Sequence, residues 1–135
     1  MTAARGTLRA FARPRLWLGI WIFGWVLAIA LSLLRPPPLG LDMPDSDKVG
    51  HLLAYATLSA WAVMLFATRR GWLLAALGLV ALGIGLEFAQ GALTDYRLRD
   101  PRDAIANTLG VLLGLGIAMT KMQGWLQALD RRWFA

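Results

Sequence analysis

The sequence predicts an all-α integral membrane bundle of four transmembrane helices with both termini in the cytoplasm. Three observations predict it. Hydrophobic residues make up 58% of the chain and charged residues 16%, whereas a soluble domain carries about 25% charge. The apolar residues gather into four runs, about 16–34, 48–68, 72–91 and 102–120. Each is close to the ~20 residues a helix needs to cross the hydrocarbon core. Lys and Arg are also divided unevenly between the run ends: nine lie in the leader, the second connection and the tail, and five lie on the other side. Basic loops stay in the cytoplasm.

The whole chain, 1–135, reads as a single membrane domain. Arg5, Arg9, Arg13 and Arg15 lead into the first run. That run is longer than a signal-peptide core and ends without an A-x-A-like site, so it is expected to be a retained first helix. Pro36, Pro37 and Pro38 favour an extended connection, and Asp45 or Ser46 is placed to cap the second helix. Arg69-Arg70-Gly71 reads as a tight turn into the third. Asp100 is expected as the N-cap of the fourth, with Pro101 at the first helical position and Asp103 at the third. In the tail, Trp125, Leu129 and Trp133 recur every four residues, which predicts an interfacial helix over about 122–134. Trp17, Trp72, Trp125 and Trp133 fall at one boundary, as an aromatic belt does.

Several functions are excluded at once. The chain has no cysteine and one histidine, which removes disulfides, thiolate chemistry and a multi-histidine metal site. The pI of 11.1 follows from topology and calls for no nucleic acid. No cofactor is expected.

What remains unusual is polar. Asp47-Lys48-x-x-His51-x-x-x-Tyr55 opens the second run, Glu87-x-x-Gln90 closes the third, and Arg97-x-x-Asp100-x-x-Asp103-x-x-x-Asn107 opens the fourth. The spacings of three, four and seven put each set on one helix face. Charges in such places face the bundle interior or a cavity, because lipid would leave them unpaired. Gly110 and Gly114 continue the last face and allow close helix approach. Glu87 sits about one turn, roughly 6 Å, inside the third helix, and is expected to pair with Lys48 or Arg97. Taken singly, these residues have plain structural readings: Asp100 as a cap, Gly110 and Gly114 as packing glycines, Gln90 and Asn107 as interhelical ties. Taken together they read as a site, since packing alone needs no such group of charges at one depth.

These three blocks, in this order and spacing from about Asp45 to Gly114, resemble the VanZ-like family. The resemblance implies a small multi-pass protein of the bacterial cytoplasmic membrane, associated with low-level tolerance of the glycopeptide antibiotic teicoplanin. It brings no defined reaction.

Two readings of the site follow. In the favoured one the protein is no enzyme. Its pocket faces the extracytoplasmic side and binds an amphiphile: a lipid, a cell-wall precursor or an acylated glycopeptide. Lys48 and Arg97 offer cationic donors. Tyr55, Gln90 and Asn107 offer neutral hydrogen bonds, and His51 forms part of the wall. Asp47, Glu87 and Asp103 hold the cations or bind amine and hydroxyl groups. In the alternative, His51 is the acid/base of a membrane hydrolase or transferase acting on a lipid-linked substrate. Asp47 or Glu87 would orient it, and any metal would sit on Asp47, Glu87 and Asp103. Transport ranks last, because the inner halves of the helices carry almost no polar residues.

Overall fold

The computed structural model describes residues 6–34, 46–95 and 100–135. Five α-helices follow in order: α1 (Pro14–Leu33), α2 (Ser46–Leu65), α3 (Arg69–Leu93), α4 (Pro101–Leu115) and α5 (Trp125–Phe134). Two 3-10 turns, Gly116–Met119 and Lys121–Gly124, lie between α4 and α5.

The helix ends differ from the sequence expectation where the chain finds a local partner. α2 stops before Phe66 because the next residues pair with the N-terminal segment. Ala67 N–H donates to the Thr7 carbonyl at 3.0 Å, Arg9 N–H to that of Leu65 at 2.9 Å, and Leu8 and Phe66 form an antiparallel bridge. The expected turn Arg69-Arg70-Gly71 is instead the first turn of α3, because Thr68 caps it by accepting from the Gly71 amide. α4 begins as expected, with Asp100 accepting from the Arg102 amide at 2.9 Å and Pro101 in the first turn. It tightens into 3-10 geometry after Leu115.

Among the described residues, three segments are long and apolar enough to cross a membrane: 14–33, 69–93 and 101–119. α2 is not among them. It is long enough, at 20 residues, but Asp47, Lys48, His51 and Tyr55 dilute its apolar content. It is also the central helix, packing on α1, α3, α4 and α5.

Burial follows the pattern of a bundle bathed in lipid. On α1 the exposed side chains include Ile20, Ile22, Phe23, Val26, Leu27 and Leu31, while Trp17 and Ser32 are buried. On α3 the inward stripe is Ala76, Leu79, Gly83, Leu86, Glu87 and Gln90; on α4 it is Asp103, Ala106, Asn107, Gly110, Val111 and Gly114. Glu87, Gln90, Asp103 and Asn107 point in beside an apolar core that includes Tyr55, Leu58, Leu79 and Val111, while many other large apolar side chains point out.

α2 and α4 cross at the two glycines. A Cβ on Gly110 would strike the Leu52 carbonyl, and one on Gly114 would strike the Ala56 carbonyl and lie 2.7 Å from the Ala60 nitrogen. Ser59 then reaches across, its hydroxyl donating to the Val111 carbonyl at 2.8 Å. Close backbone contact replaces the hydrophobic drive that helices lack in lipid.

Candidate functional site

The starts of α2 and α4 meet the end of α3 at one end of the bundle. Lys48 Nζ lies 3.0 Å from Asp100 Oδ2, 3.3 Å from Asp103 Oδ1 and 4.0 Å from Asp47 Oδ2. Asp100 thus has two tasks, capping α4 and holding the α2 lysine. Its own amide donates to Glu87 Oε2 at 3.0 Å, which ties α3 to the start of α4. The Arg102 amide, and after it the Lys48 ammonium, hold the Asp100 carboxyl below its ordinary range.

One or two turns deeper the site changes character. Tyr55 is 1% exposed, Asn107 3% and Asp103 6%. The Tyr55 hydroxyl, Asn107 Oδ1 and Asp103 Oδ1 are buried without a hydrogen-bond partner. Asp103 Oδ1 is near enough to Lys48 to attract it, but the contact lacks hydrogen-bond geometry. Glu87, 5% exposed, acts electrostatically on Tyr55 from α3. Gly83 makes room for the Asn107 amide: a Cβ there would sit 3.0 Å from Asn107 Nδ2. A buried polar group without a partner costs about 1–3 kcal/mol, and water in hydrocarbon is scarce. Tyr55, Asn107 and Asp103 carry that cost within about two turns of one another on α2 and α4.

The other residues singled out in the sequence take different positions. Gln90 is a tie: its Nε2 donates to the Ser32 carbonyl of α1 at 2.7 Å, fully buried. His51 is half-buried on α2. Among the described residues it makes no hydrogen bond or ion pair with Asp47 or Glu87. Nor do three of the described His, Asp and Glu side chains gather as a metal-ligating group, so Asp47, Glu87 and Asp103 do not form one. Arg97 lies outside the described residues, as do Asp45 and Pro36–Pro38 of the first connection.

Two apolar grooves open on the surface of the bundle. One, about 250 Å³, is lined by Ile84 of α3 and Ala104, Ile105, Thr108 and Leu109 of α4. The other, about 300 Å³, runs between α1 and α2 and is lined by residues that include Leu31, Leu53 and Thr57.

The opposite end of the bundle holds a residue that sequence reasoning missed. Asp130 of α5 is 1% exposed. Its carboxylate accepts from the amides of Ala12 and Arg13 and, at 2.7 Å, from the Trp17 indole. It fills the positive N-terminal end of α1, where Arg13 makes no side-chain cap. Trp17, expected in an exposed belt, is buried there among Phe11, Trp61 and Trp133. Arg9 braces the same junction, donating from Nε to the Val63 carbonyl and from Nη2 to Gln123. The signal was available: Leu126 and Asp130 share a face four residues apart, and Asp130 is the one carboxylate in a basic tail.

Comparison with known proteins adds one match. The model of the VanZ/LLP1 family covers residues 8–122, which is most of the chain, and the protein belongs to that family. No curated protein and no solved structure matches it.

Proposed function

We propose that this VanZ/LLP1-family membrane protein binds the headgroup of an amphiphile between α2, α3 and α4. The observation that carries the reading is the pair of buried polar atoms, Tyr55 Oη and Asn107 Oδ1, that have no hydrogen-bond partner among the described residues, beneath the Lys48–Asp100–Asp103 cluster. Buried polar side-chain atoms are mostly hydrogen-bonded, and these, with Trp25 Nε1 and Asp103 Oδ1, are the exceptions among the described residues. The apolar grooves give the apolar part of such a ligand a place to lie.

In this reading α2 is the fourth span, shielded by its neighbours. The chain sits in a bacterial cytoplasmic membrane with both termini inside and the pocket on the outer side. The bound amphiphile is a cell-envelope lipid or precursor, and holding it alters tolerance of teicoplanin-type glycopeptides. Orientation is tested by labelling Arg70→Cys and Asp95→Cys in intact cells with an impermeant thiol reagent. Asp95→Cys is expected to react and Arg70→Cys not; the reverse overturns the orientation.

Binding is tested by native mass spectrometry of the full chain purified in mild detergent. A retained lipid-sized adduct is expected, and its loss is expected in Lys48→Ala. An adduct-free protein overturns the reading. The hydrolase or transferase alternative has less support, since among the described residues no carboxylate hydrogen-bonds or pairs with His51. His51→Gln is expected to keep the adduct and the tolerance phenotype. Loss of phenotype with the adduct retained points to catalysis.

A further inference from the structure

We infer that the headgroup carries a primary ammonium, so that the ligand is an aminoalkyl phospholipid rather than a purely anionic lipid. The inference rests on the amphiphile reading and goes beyond it in naming the chemistry.

The unsatisfied atoms decide what is missing. Asp103 Oδ1 and Asn107 Oδ1 are acceptors, and the Tyr55 hydroxyl accepts as well as donates. Among the described residues Asn107 Oδ1 and the Tyr55 hydroxyl have no donor, and Asp103 Oδ1 has only the ion-pair contact with Lys48 at 3.3 Å. An ammonium brings three N–H groups; a phosphate monoanion brings chiefly further acceptors.

The charges point the same way. The Lys48 ammonium is already shared between Asp100 at 3.0 Å and Asp103 at 3.3 Å, one cation against two carboxylates. Among the described residues at this end of the bundle, Lys48 and Arg102 stand against five carboxylates, Asp47, Glu87, Asp95, Asp100 and Asp103. An anionic headgroup would add to that excess, whereas an ammonium reduces it, and its charge-assisted bonds to carboxylate are the stronger kind.

Reach is adequate. Asn107 lies one turn, about 6 Å, beyond Asp103 on the same face of α4. An ammonium between them can meet both oxygens, with Tyr55 opposite on α2. The α3–α4 groove begins at Ala104, the next residue after Asp103, and seats an acyl chain of the same molecule.

The test is a competition. The delipidated full chain in mild detergent is offered an equimolar mixture of phosphatidylethanolamine, phosphatidylcholine and phosphatidylglycerol with identical acyl chains. Retained lipid is then counted by native mass spectrometry. Phosphatidylcholine keeps the positive charge but has no N–H, so it separates donation from charge. Phosphatidylethanolamine is expected to exceed each of the others about tenfold, the worth of one good hydrogen bond. Asn107→Leu and Tyr55→Phe are expected to erase that preference. Both should fold, because replacing a partnerless polar group with an apolar one of like shape is near neutral. Equal retention of all three, preference for phosphatidylglycerol, or a preference that survives in both variants overturns the ammonium assignment while leaving amphiphile binding intact. Retention of none of the three overturns phospholipid binding, and this inference with it.

Discussion

Both ends of the bundle bury an aspartate, and the two are held in opposite ways. Asp130 meets three N–H donors, two from the backbone before α1 and one from Trp17. Arg9, Gln123, Trp61 and Trp133 close the junction around it. Asp103 leans towards one lysine, with an oxygen that has no hydrogen bond, above two further partnerless atoms. The first arrangement is complete and joins the chain's two ends. The second is incomplete among its own residues. A saturated buried carboxylate is the mark of a structural clamp, whereas unsatisfied buried atoms call for a further explanation, which the proposed ligand supplies.

The contrast is challenged hardest at the complete end. Asp130→Asn keeps the shape but turns one acceptor into a donor facing other donors. It is expected to lower the unfolding midpoint in detergent more than Trp17→Phe or Tyr55→Phe does. Trp17→Phe removes one donor and leaves one Asp130 oxygen short. A smaller loss is expected, about 1–3 kcal/mol. If either variant melts like the parent, the clamp is not structural.

The clamp also predicts a pH dependence. Burial pushes the Asp130 carboxyl up, but the Trp17 indole and then the Ala12 and Arg13 amides outweigh it and hold it below its ordinary value. A carboxyl depressed in the folded state contributes stability that is present above its unfolded pKa, near 3.9. That stability is lost as pH falls through the folded value. The wild type is therefore expected to lose stability on acidification below about pH 4. Asp100, also depressed, adds a loss of the same sign, so the difference between wild type and Asp130→Asn isolates the clamp. Parallel acid profiles of the two proteins would remove Asp130 from the account.

The two ends were not equally legible in the sequence. Helix periodicity and spacing brought Lys48, Asp100 and Asp103 to one end, because residues three and four apart share a face whatever surrounds them. Gly110 and Gly114 announced the close crossing with α2 for the same reason. Three features depended on contacts between distant segments, which no local pattern encodes. Asp100 takes Lys48 as a partner across 52 residues of sequence. The N-terminal segment pairs with Phe66 and shortens α2. Asp130 finds α1 more than a hundred residues away. The spacing of Leu126 and Asp130 marks a shared face, but nothing nearby in sequence shows that the partner is Trp17.

The smallest expected effect is the sharpest test of the contrast. Tyr55→Phe at the incomplete end matches Trp17→Phe at the complete end: each keeps an aromatic ring and deletes one polar group. The Trp17 indole N–H has a partner, so its loss is costly. The Tyr55 hydroxyl has none, so it is held against a cost of about 1–3 kcal/mol, part of which its deletion returns. In lipid-free detergent Tyr55→Phe is therefore expected to melt at the parent's temperature or slightly above it, by up to about 1 kcal/mol. With the proposed amphiphile added the order should invert, because a ligand that favours the folded state adds more stability the tighter it binds, and on this proposal Tyr55→Phe binds it less tightly. The measurement is a pair of melting curves for each protein, with and without added lipid. A Tyr55→Phe protein as destabilised as Trp17→Phe in the absence of lipid would mean that its hydroxyl has a structural partner, and the two ends of the bundle would then be built alike.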